Sequence, residues 1–394
     1  MSVYLACIPG GLIADRWLGA RRAVLYGGIV ISIGHFVMAL HGMTAFYLGL
    51  ALIVCGTGLL KPSISNMLGG LYAGKDDPRR DVGFSIFYLG INIGAFLSPL
   101  ICGFLAQHEV FKSWLAAAGF DPNASWHWGF AAAGVGMVLG LTQYVSQQKR
   151  FGMVGLPTPR NELQAAQSLS AADWKRMGAI GILFVFTVFF FAVYEQGSTS
   201  LGLFADRLTD NTIPVLGWKF PSSWFQSVNP LFIIVLTFVF SWFWPFLAKR
   251  NLEPSAPAKF AYGLAFVGAA IGLMVFAALA SASGKVTPLW LCAFFFVECV
   301  GEMCLSPVGL STVTKLAPAR FSGLMLGVWF LASALGGKLA GFLASFFSDD
   351  IRVMVILFGS LAISGLVAAV VLAFLAPTVR KLMGSDISGT KPAH

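Results

Sequence analysis

The sequence has too few charged residues for a protein surrounded by water. Asp, Glu, Lys and Arg together make up 11% of its 394 residues, against about 25% in an average soluble domain. Hydrophobic residues make up 57%, and 36 phenylalanines need an apolar environment. This composition excludes a soluble globular protein and a disordered one. It also excludes a nucleic-acid-binding protein, despite the formal net charge of +9. It indicates an integral protein of the lipid bilayer.

The sequence also lacks the patterns of a catalytic or metal site. Its six cysteines all fall inside apolar segments, and their spacing fits neither a disulfide framework nor a zinc site. Residues Gly69 to Lys75 have the spacing of a phosphate-binding loop, but Asp76 stands where a hydroxyl residue would bind magnesium, and no strand precedes the loop. No catalytic triad or zinc-protease helix is recognisable. We therefore predict no enzyme activity, no cofactor and no metal.

What the sequence does contain is a series of long apolar runs. A membrane-spanning helix needs about 20 mostly apolar residues. Segments this long are helices, because the strands of a membrane barrel alternate over about ten residues. The fold class predicted is an all-α membrane protein. Ten segments meet the length criterion, at 22–41, 45–67, 83–106, 128–147, 177–204, 226–247, 260–281, 288–312, 322–347 and 352–376.

A shorter apolar segment, residues 1–14, precedes these ten and does not resemble a signal peptide. Loops on the side reached after it carry nineteen of the 26 Lys and Arg residues, and loops on the opposite side carry five. Because positive charge is retained on the cytoplasmic side, we expect a multi-pass protein of the cell membrane, bacterial in type, with a cytoplasmic C-terminus.

The longest cytoplasmic stretch divides these helices into two groups. We predict an N-terminal bundle at 1–147, a cytoplasmic linker at 148–176, a C-terminal bundle at 177–376 and a cytoplasmic tail at 377–394. The division gives five plus six transmembrane helices. One more helix before Met1 would give the six plus six of the major facilitator fold, in which two bundles rock about a central site. We expect this first helix to be missing because the sequence is a fragment or has a mis-assigned start.

Six ionisable residues lie inside the apolar segments, where a charge is costly and indicates function by default. For Glu298 and Lys338 a purely structural ion pair is the alternative, and for His35 a neutral hydrogen-bonded imidazole is favoured. The six residues are His35, Lys61, Glu195, Glu298, Glu302 and Lys338.

The depths of these charges in the membrane favour particular roles. At about 1.5 Å per residue, Lys61 lies roughly 24 Å and Glu302 roughly 21 Å below the outer ends of their helices. Opposite charges at similar depth suit an ion pair between the bundles. Glu195 lies roughly 27 Å from the inner end of its helix, in the outer half. Glu298 precedes Glu302 by one turn, and two carboxylates on one face suit proton uptake.

Glycines spaced four residues apart are expected to allow close helix packing. Three such pairs are Gly90 with Gly94, Gly136 with Gly140, and Gly337 with Gly341.

Residues 10–22, which include Asp15, Arg16, Arg21 and Arg22, resemble the cytoplasmic loop signature shared by major facilitators. Longer stretches are similar to the proton-dependent oligopeptide transporter family (POT, or PTR). They are Gly58-Leu-Leu-Lys61-Pro-Ser-Ile-Ser-Asn66, Gly83 to Phe96, Phe190-Phe-Ala-Val-Tyr-Glu195-Gln-Gly-Ser198, Trp224 to Phe232, and Gly301-Glu302-Met-Cys-Leu-Ser-Pro307-Val-Gly-Leu310.

This resemblance implies roles for individual residues. Lys61 and Glu302 correspond to the inner-gate pair, and Glu195 corresponds to the carboxylate of the outer gate. The remaining positions correspond to residues that line the peptide cavity, although ordinary helix packing is an alternative for each. They are Tyr4, Asn92, Asn229, Trp329 and Ser333.

The resemblance further implies symport of di- and tripeptides with protons into the cell by alternating access. Two departures stand out: the Glu-x-x-Glu-Arg cluster of the family's first helix is absent, and 148–176 is too short for the two extra helices of many bacterial members. The alternatives are a peptide-binding membrane sensor, a non-transporting fragment, or a major facilitator that moves nitrate, an amino acid or a drug. No nucleic-acid partner is expected, and the sequence makes no prediction of oligomeric state.

Overall fold

The computed structural model describes residues 2–72, 78–156, 170–213, 218–317 and 322–384. These fall into two compact units, Met1–Asn161 and Glu162–His394, which are described in turn. The middle of the predicted linker and the end of the predicted tail lie outside the described residues.

Unit 1 is built from α-helices joined by short turns. A π-helical turn at Ala14–Leu18 and short 3-10 turns at Pro122–Ala124 and Gln148–Phe151 connect or follow them. The helices are α1 (Ser2–Ile13), α2 (Ala20–Met38), α3 (Met43–Gly70), α4 (Pro78–Gln107), α5 (Glu109–Ala117) and α6 (Ser125–Ser146).

Glycines bring α2 and α3 into backbone contact. A Cβ atom added at Gly27 would lie 2.6 Å from the carbonyl oxygen of Gly56, and one added at Gly49 would lie 2.6 Å from that of Gly34. Only glycine fits at such an approach, which favours van der Waals packing in a membrane. These glycines are seven residues apart on each helix.

The glycine pairs that the sequence singled out do not make such contacts. A Cβ atom added at Gly90, Gly94, Gly136 or Gly140 meets no described atom within 4 Å. The expectation of close packing at these positions was therefore wrong. Four-residue spacing places two glycines on one helix face, but it does not say whether a neighbouring helix covers that face.

Unit 2 contains the remaining helices, one of which is short. A two-stranded antiparallel pair, β1 (Thr212–Ile213) and β2 (Trp218–Lys219), lies in a connection and is a small exception to an otherwise helical fold. The helices are α7 (Ala171–Tyr194), α8 (Ser200–Arg207), α9 (Val228–Lys249), α10 (Ala256–Ala280), α11 (Leu289–Leu316), α12 (Ser322–Ala344) and α13 (Ile351–Met383).

Helix α7 begins at Ala171, six residues before the predicted start of its segment. A capping box explains this start: the Ser170 hydroxyl accepts from the backbone N–H of Asp173, whose carboxylate accepts from the backbone N–H of Ser170. The apolar window missed these residues because the first turn is polar. At its other end, α7 gives way to a 3-10 turn at Glu195–Gly197 before α8 begins.

A large apolar core holds unit 2 together. The largest fully buried side chains of the described residues all belong to this unit, and Phe190, Phe204, Phe260, Phe294 and Phe358 head them. They come from five different helices, α7, α8, α10, α11 and α13. This packing fixes the helices that carry the carboxylates described below.

Nine stretches of the described chain are long and apolar enough to cross a membrane. Helix α2 is not among them, because Arg21, Arg22 and His35 lower its mean hydropathy. The all-α membrane fold class is confirmed, and the division into five plus six helices stays a prediction.

Candidate functional site

In unit 1 the predicted residues Lys61 and Tyr4 lie together. Lys61 is half-buried in the middle of α3, and its ammonium Nζ lies 4.1 Å from the centroid of the Tyr4 ring on α1. A cation over an aromatic face gains about 0.5–2 kcal/mol. The sequence predicted both residues independently, and the structure brings them into one cation–π contact.

Asn92, the third predicted residue of this unit, is buried on α4. Its Nδ2 donates to the backbone carbonyl of Tyr88, one turn earlier, at 2.9 Å. This bond uses one of the two N–H donors of the amide. The orientation of Asn92 is therefore set by its own helix.

The loop motif contributes one residue with a defined structural role. The Arg21 guanidinium donates to the carbonyl of Gly152 at 3.0 Å and to that of Gln148. The backbone N–H of Arg21 also donates to the carbonyl of Gly155 at 2.9 Å. Arg21 thus fastens the turn that follows α6 to the start of α2.

The other members of the loop motif make no comparable contact among the described residues. Arg16 and Arg22 are exposed. Asp15 lies in the π-helical turn, and its side chain is outside the described ones.

In unit 2, Glu195 lies where α7 ends. Its backbone carbonyl accepts from the hydroxyl of Thr199 at 2.8 Å, and its Oε2 accepts from the hydroxyl of Ser198 at 2.9 Å. A Cβ atom added at Gly337 on α12 would lie 3.8 Å from its Cγ. Because Gly337 leaves this space, α12 passes close to the half-buried carboxylate. The neighbouring Lys338 is exposed.

The fully buried Gln196 holds this helix break in place, and sequence reasoning missed it. Its Nε2 donates to the carbonyls of Ala192 at 3.1 Å and Ala340 at 3.3 Å, and its Oε1 accepts from the Ser200 hydroxyl at 2.6 Å. An amide can both donate and accept, so it links three segments at once. The available signal was a Gln within an apolar run, next to Gly197 and Ser198.

Asn229 and Glu298 form a direct pair within unit 2. The Asn229 Nδ2 on α9 donates to Oε2 of Glu298 on α11 at 3.0 Å. Glu298 is 1% exposed, whereas Asn229 is half-buried. In addition, the thiol of Cys299 donates to the backbone carbonyl of Asn229 at 3.3 Å. Two predicted site residues are thus joined by a buried hydrogen bond.

Two further predicted site residues of unit 2, Glu302 and Glu195, carry carboxyl groups. Glu302 follows Glu298 by one turn of α11 and is half-buried. Glu195 lies two residues before Gly197, where an added Cβ atom would lie 3.5 Å from Glu298 Oε1. Unit 2 therefore carries three carboxyl groups among its predicted site residues, two of them one turn apart on α11 and one of those bonded to Asn229.

The last two predicted residues lie on α12. Trp329 is 6% exposed and stacks edge-on against Phe260, with ring centroids 5.9 Å apart. Its ring fills the space that a side chain at Gly309 would need. These contacts are those expected if Trp329 serves in ordinary helix packing, which was the alternative to a role in the peptide cavity. Ser333 is half-buried one turn further along.

The two units thus offer complementary chemistry. Unit 1 presents an ammonium group beside an aromatic ring, and unit 2 presents carboxyl groups beside an amide. A cation binds carboxylates, and carboxyl and amide oxygens accept hydrogen bonds from ammonium groups.

Sequence comparison matches this chain to a known family. The model of the POT family (PTR2) matches residues 21–157 and 159–357. The chain belongs to the POT family. Membership of this family makes the protein a transporter rather than an enzyme.

Individual relatives in the POT family are similar over nearly the whole chain. The peptide transporter YePEPT of Yersinia enterocolitica is 37% identical, covering 98% of this chain and 85% of the relative. The di-/tripeptide transporter of Lactococcus lactis subsp. cremoris is 31% identical, covering 97% and 85%. A crystal structure of a mutant peptide transporter POT in complex with alafosfalin is 37% identical, with a TM-score of 0.82, covering 98% and 85%.

Proposed function

We propose that this chain is a proton-coupled symporter that carries di- and tripeptides into the cell by alternating access. The observation that supports it best is the separation of charge between the units. Lys61 lies in unit 1, and Glu195, Glu298 and Glu302 lie in unit 2. A peptide zwitterion carries one carboxylate and one ammonium, so it needs both kinds of partner. Relatives described as peptide transporters support the same substrate class.

The individual roles are proposed as follows. Lys61, together with Tyr4 and Asn92, binds the peptide carboxylate, while Asn229 and Glu302 bind its ammonium. Trp329 and Ser333 are assigned to the wall around the peptide side chains. The loop motif with Arg21 belongs to the cytoplasmic end of unit 1.

Proton coupling is proposed to act through the gate carboxylates. Lys61 with Glu302 serves as the inner gate, Glu195 belongs to the outer gate, and Glu298 takes part in coupling. Protonating a gate carboxylate removes the attraction that holds its cationic partner, which shifts the population toward the other state.

The proposed topology follows the positive charge. We place both the linker at 148–176 and the tail at 377–394 in the cytoplasm, with bundles at 1–147 and 177–376 in the lipid bilayer of the cell membrane. Cysteine labelling at either end in intact cells tests this orientation.

Uptake into liposomes tests the function. The purified chain is reconstituted, and a labelled dipeptide is supplied with and without an inward proton gradient. We expect accumulation above the external concentration only with the gradient, and competition by unlabelled di- and tripeptides. Binding without accumulation would instead support a peptide sensor. Accumulation of nitrate, an amino acid or a drug, with no response to peptides, would support another major facilitator activity.

A Glu302→Gln variant separates coupling from binding. Glutamine keeps the shape and hydrogen-bonding groups but does not take up the proton, so gradient-driven accumulation should fall to background. Exchange of labelled for unlabelled peptide across the membrane needs no net proton movement and should continue. Wild-type accumulation in this variant would show that Glu302 is not a coupling group.

A further inference from the structure

The hydrogen bond between Asn229 and Glu298 sets the orientation of the asparagine side-chain amide. The two side chains meet at 3.0 Å through Nδ2 and Oε2. Because nitrogen and oxygen point in different directions from the amide carbon, committing Nδ2 to α11 turns Oδ1 away from Glu298. When Glu298 is ionised, its carboxylate only accepts hydrogen bonds, so this state selects the observed amide orientation over the flipped one.

The surroundings of the pair leave it little freedom. Glu298 is 1% exposed, and its Oε1 has no hydrogen-bond partner among the described residues. On that side, a Cβ atom added at Gly197 would lie 3.5 Å from Oε1, so the helix break of α7 lies directly against the carboxyl group. The Glu298 side chain is therefore confined to the position from which it bonds Asn229.

The backbone of Asn229 is held separately. The Cys299 thiol donates to its carbonyl oxygen at 3.3 Å, so α11 contacts the residue at two points. One contact fixes where α9 lies, and the other fixes how the side-chain amide is turned. This separation makes the two effects distinguishable by mutation.

We propose that Glu298 is a positioning residue that presents the Asn229 carbonyl oxygen Oδ1 as the acceptor for the amino terminus of the substrate. The inference rests on the proposed function, since it assumes a peptide with a free ammonium group. It assigns Glu298 to the recognition of the substrate terminus through Asn229. Asn229 itself, half-buried, makes the contact.

Discrimination between free and acetylated amino termini tests this role. Competition constants are measured for Ala-Ala and for N-acetyl-Ala-Ala against a labelled dipeptide, in reconstituted wild-type and variant protein. Acetylation removes the ammonium donor, so the ratio of the two constants reports recognition of the terminus. We expect Glu298→Met, which keeps the side-chain volume but cannot accept a strong hydrogen bond, to reduce this ratio about tenfold.

Two variants keep the test decisive if the methionine variant does not fold. Glu298→Gln retains an acceptor oxygen for Nδ2 and should keep the ratio within about threefold of wild type. Asn229→Ala removes the presented oxygen and should reduce the ratio as Glu298→Met does, and adding Glu298→Met to it should change the ratio no further. Cys299→Ala is the matched control: it loses the other α11 contact to Asn229 and should leave the ratio unchanged.

The outcomes separate this inference from the proposed function. If wild-type protein binds neither peptide, the proposed function is wrong. If it binds and discriminates, but Asn229→Ala or Glu298→Met keeps the wild-type ratio, the positioning role is wrong. Loss of discrimination in Glu298→Gln would also overturn it, because the charge rather than the hydrogen bond would then be what matters.

Discussion

The two units of this protein both bring helices together at glycines, but they differ in their polar centres and in the charge they carry. In unit 1, α2 and α3 meet through glycines at backbone distance, and the polar centre includes the cation–π pair of Lys61 with Tyr4. In unit 2, phenylalanines fill a large core, and the polar centre is a hydrogen-bonded group of carboxyls and amides. One unit thus contributes a cation, and the other contributes acceptors.

In the proposed function, the two units bind opposite ends of one substrate. A zwitterionic substrate needs partners of both signs, and a charge inside the membrane costs roughly 2.5–3.5 kcal/mol or more when it lacks a partner. In unit 1, Lys61 contacts the face of Tyr4. In unit 2, Asn229 is bonded to the carboxyl group of Glu298. Variants that alter one unit should therefore have effects of different kinds.

The largest effect is expected for Lys61→Ala. The variant removes the cation that we assign to the peptide carboxylate, and it leaves a ring that attracts no anion. Gradient-driven uptake of a labelled dipeptide into liposomes should fall to the level of empty vesicles. Lys112→Ala is the matched control in the same unit, since Lys112 forms an ion pair with Glu109 outside the predicted spans, at 2.9 Å.

Lys112→Ala should leave uptake within about twofold of wild type, because an exposed ion pair contributes about 0–1 kcal/mol. Wild-type accumulation in Lys61→Ala would show that the cation of unit 1 is not needed for transport. The proposed contrast between the two units would then be wrong.

Sequence reasoning identified charged residues inside the apolar segments of both units, but it did not predict the Lys61–Tyr4 and Asn229–Glu298 contacts. A charged residue stands out in the sequence because it interrupts an otherwise apolar run. Lys61 and Glu298 were identified in this way. The Asn229 to Glu298 bond joins residues 69 positions apart on different helices. Such a partner depends on which helices are neighbours and on how each helix is rotated about its axis. The apolar segments are too similar in composition to reveal either.

The glycines and Gln196 show that helix packing, too, is only partly predictable from the sequence. Four-residue spacing favoured Gly90 with Gly94, yet close contacts occur at other glycines, among them Gly27 and Gly34, whose spacing is seven. A spacing describes one helix only, whereas close approach needs two matching faces. Gln196 was missed because a polar residue at a helix break has no periodic pattern.

The second largest effect is expected for Gln196→Leu in unit 2. The variant removes hydrogen bonds to the Ala340 carbonyl of α12 and to the Ser200 hydroxyl, which then lacks its buried partner. Leaving such groups unsatisfied costs about 1–3 kcal/mol each. We expect a melting temperature several degrees below wild type in detergent, measured by the fluorescence of the buried thiols reacting with a maleimide dye.

Thr187→Val is the control for this substitution. Thr187 is equally buried, but its hydroxyl donates only to the Leu183 carbonyl of its own helix, at 2.8 Å, among the bonds described. Loss of this one hydrogen bond should lower the melting temperature much less than Gln196→Leu does. Equal shifts in the two variants would mean that the helix break carries no special share of the stability of unit 2.

A smaller effect is expected from the ring beneath the cation of unit 1. Tyr4→Leu removes the aromatic face 4.1 Å from Lys61 Nζ, which at about 0.5–1 kcal/mol corresponds to a two- to fivefold rise in KM for dipeptide uptake. Tyr4→Phe keeps the face and should stay within about twofold of wild type. If the phenylalanine variant is impaired as strongly as the leucine variant, the phenolic hydroxyl is the functional group, and the cation–π contact is incidental.

The smallest effect is expected where unit 1 holds the turn after α6. Arg21→Ala removes the guanidinium bonds to the carbonyls of Gln148 and Gly152. Because Arg21 is half-exposed, the loss should be about 0.5 kcal/mol, which raises the open population of the turn about twofold. Trypsin cleavage after Lys149 and Arg150 in detergent-solubilised protein, followed by mass spectrometry, measures that population. Arg22→Ala removes a neighbouring exposed charge and should leave the cleavage rate unchanged. If both variants accelerate cleavage equally, net charge rather than the Arg21 bonds governs the opening of the turn.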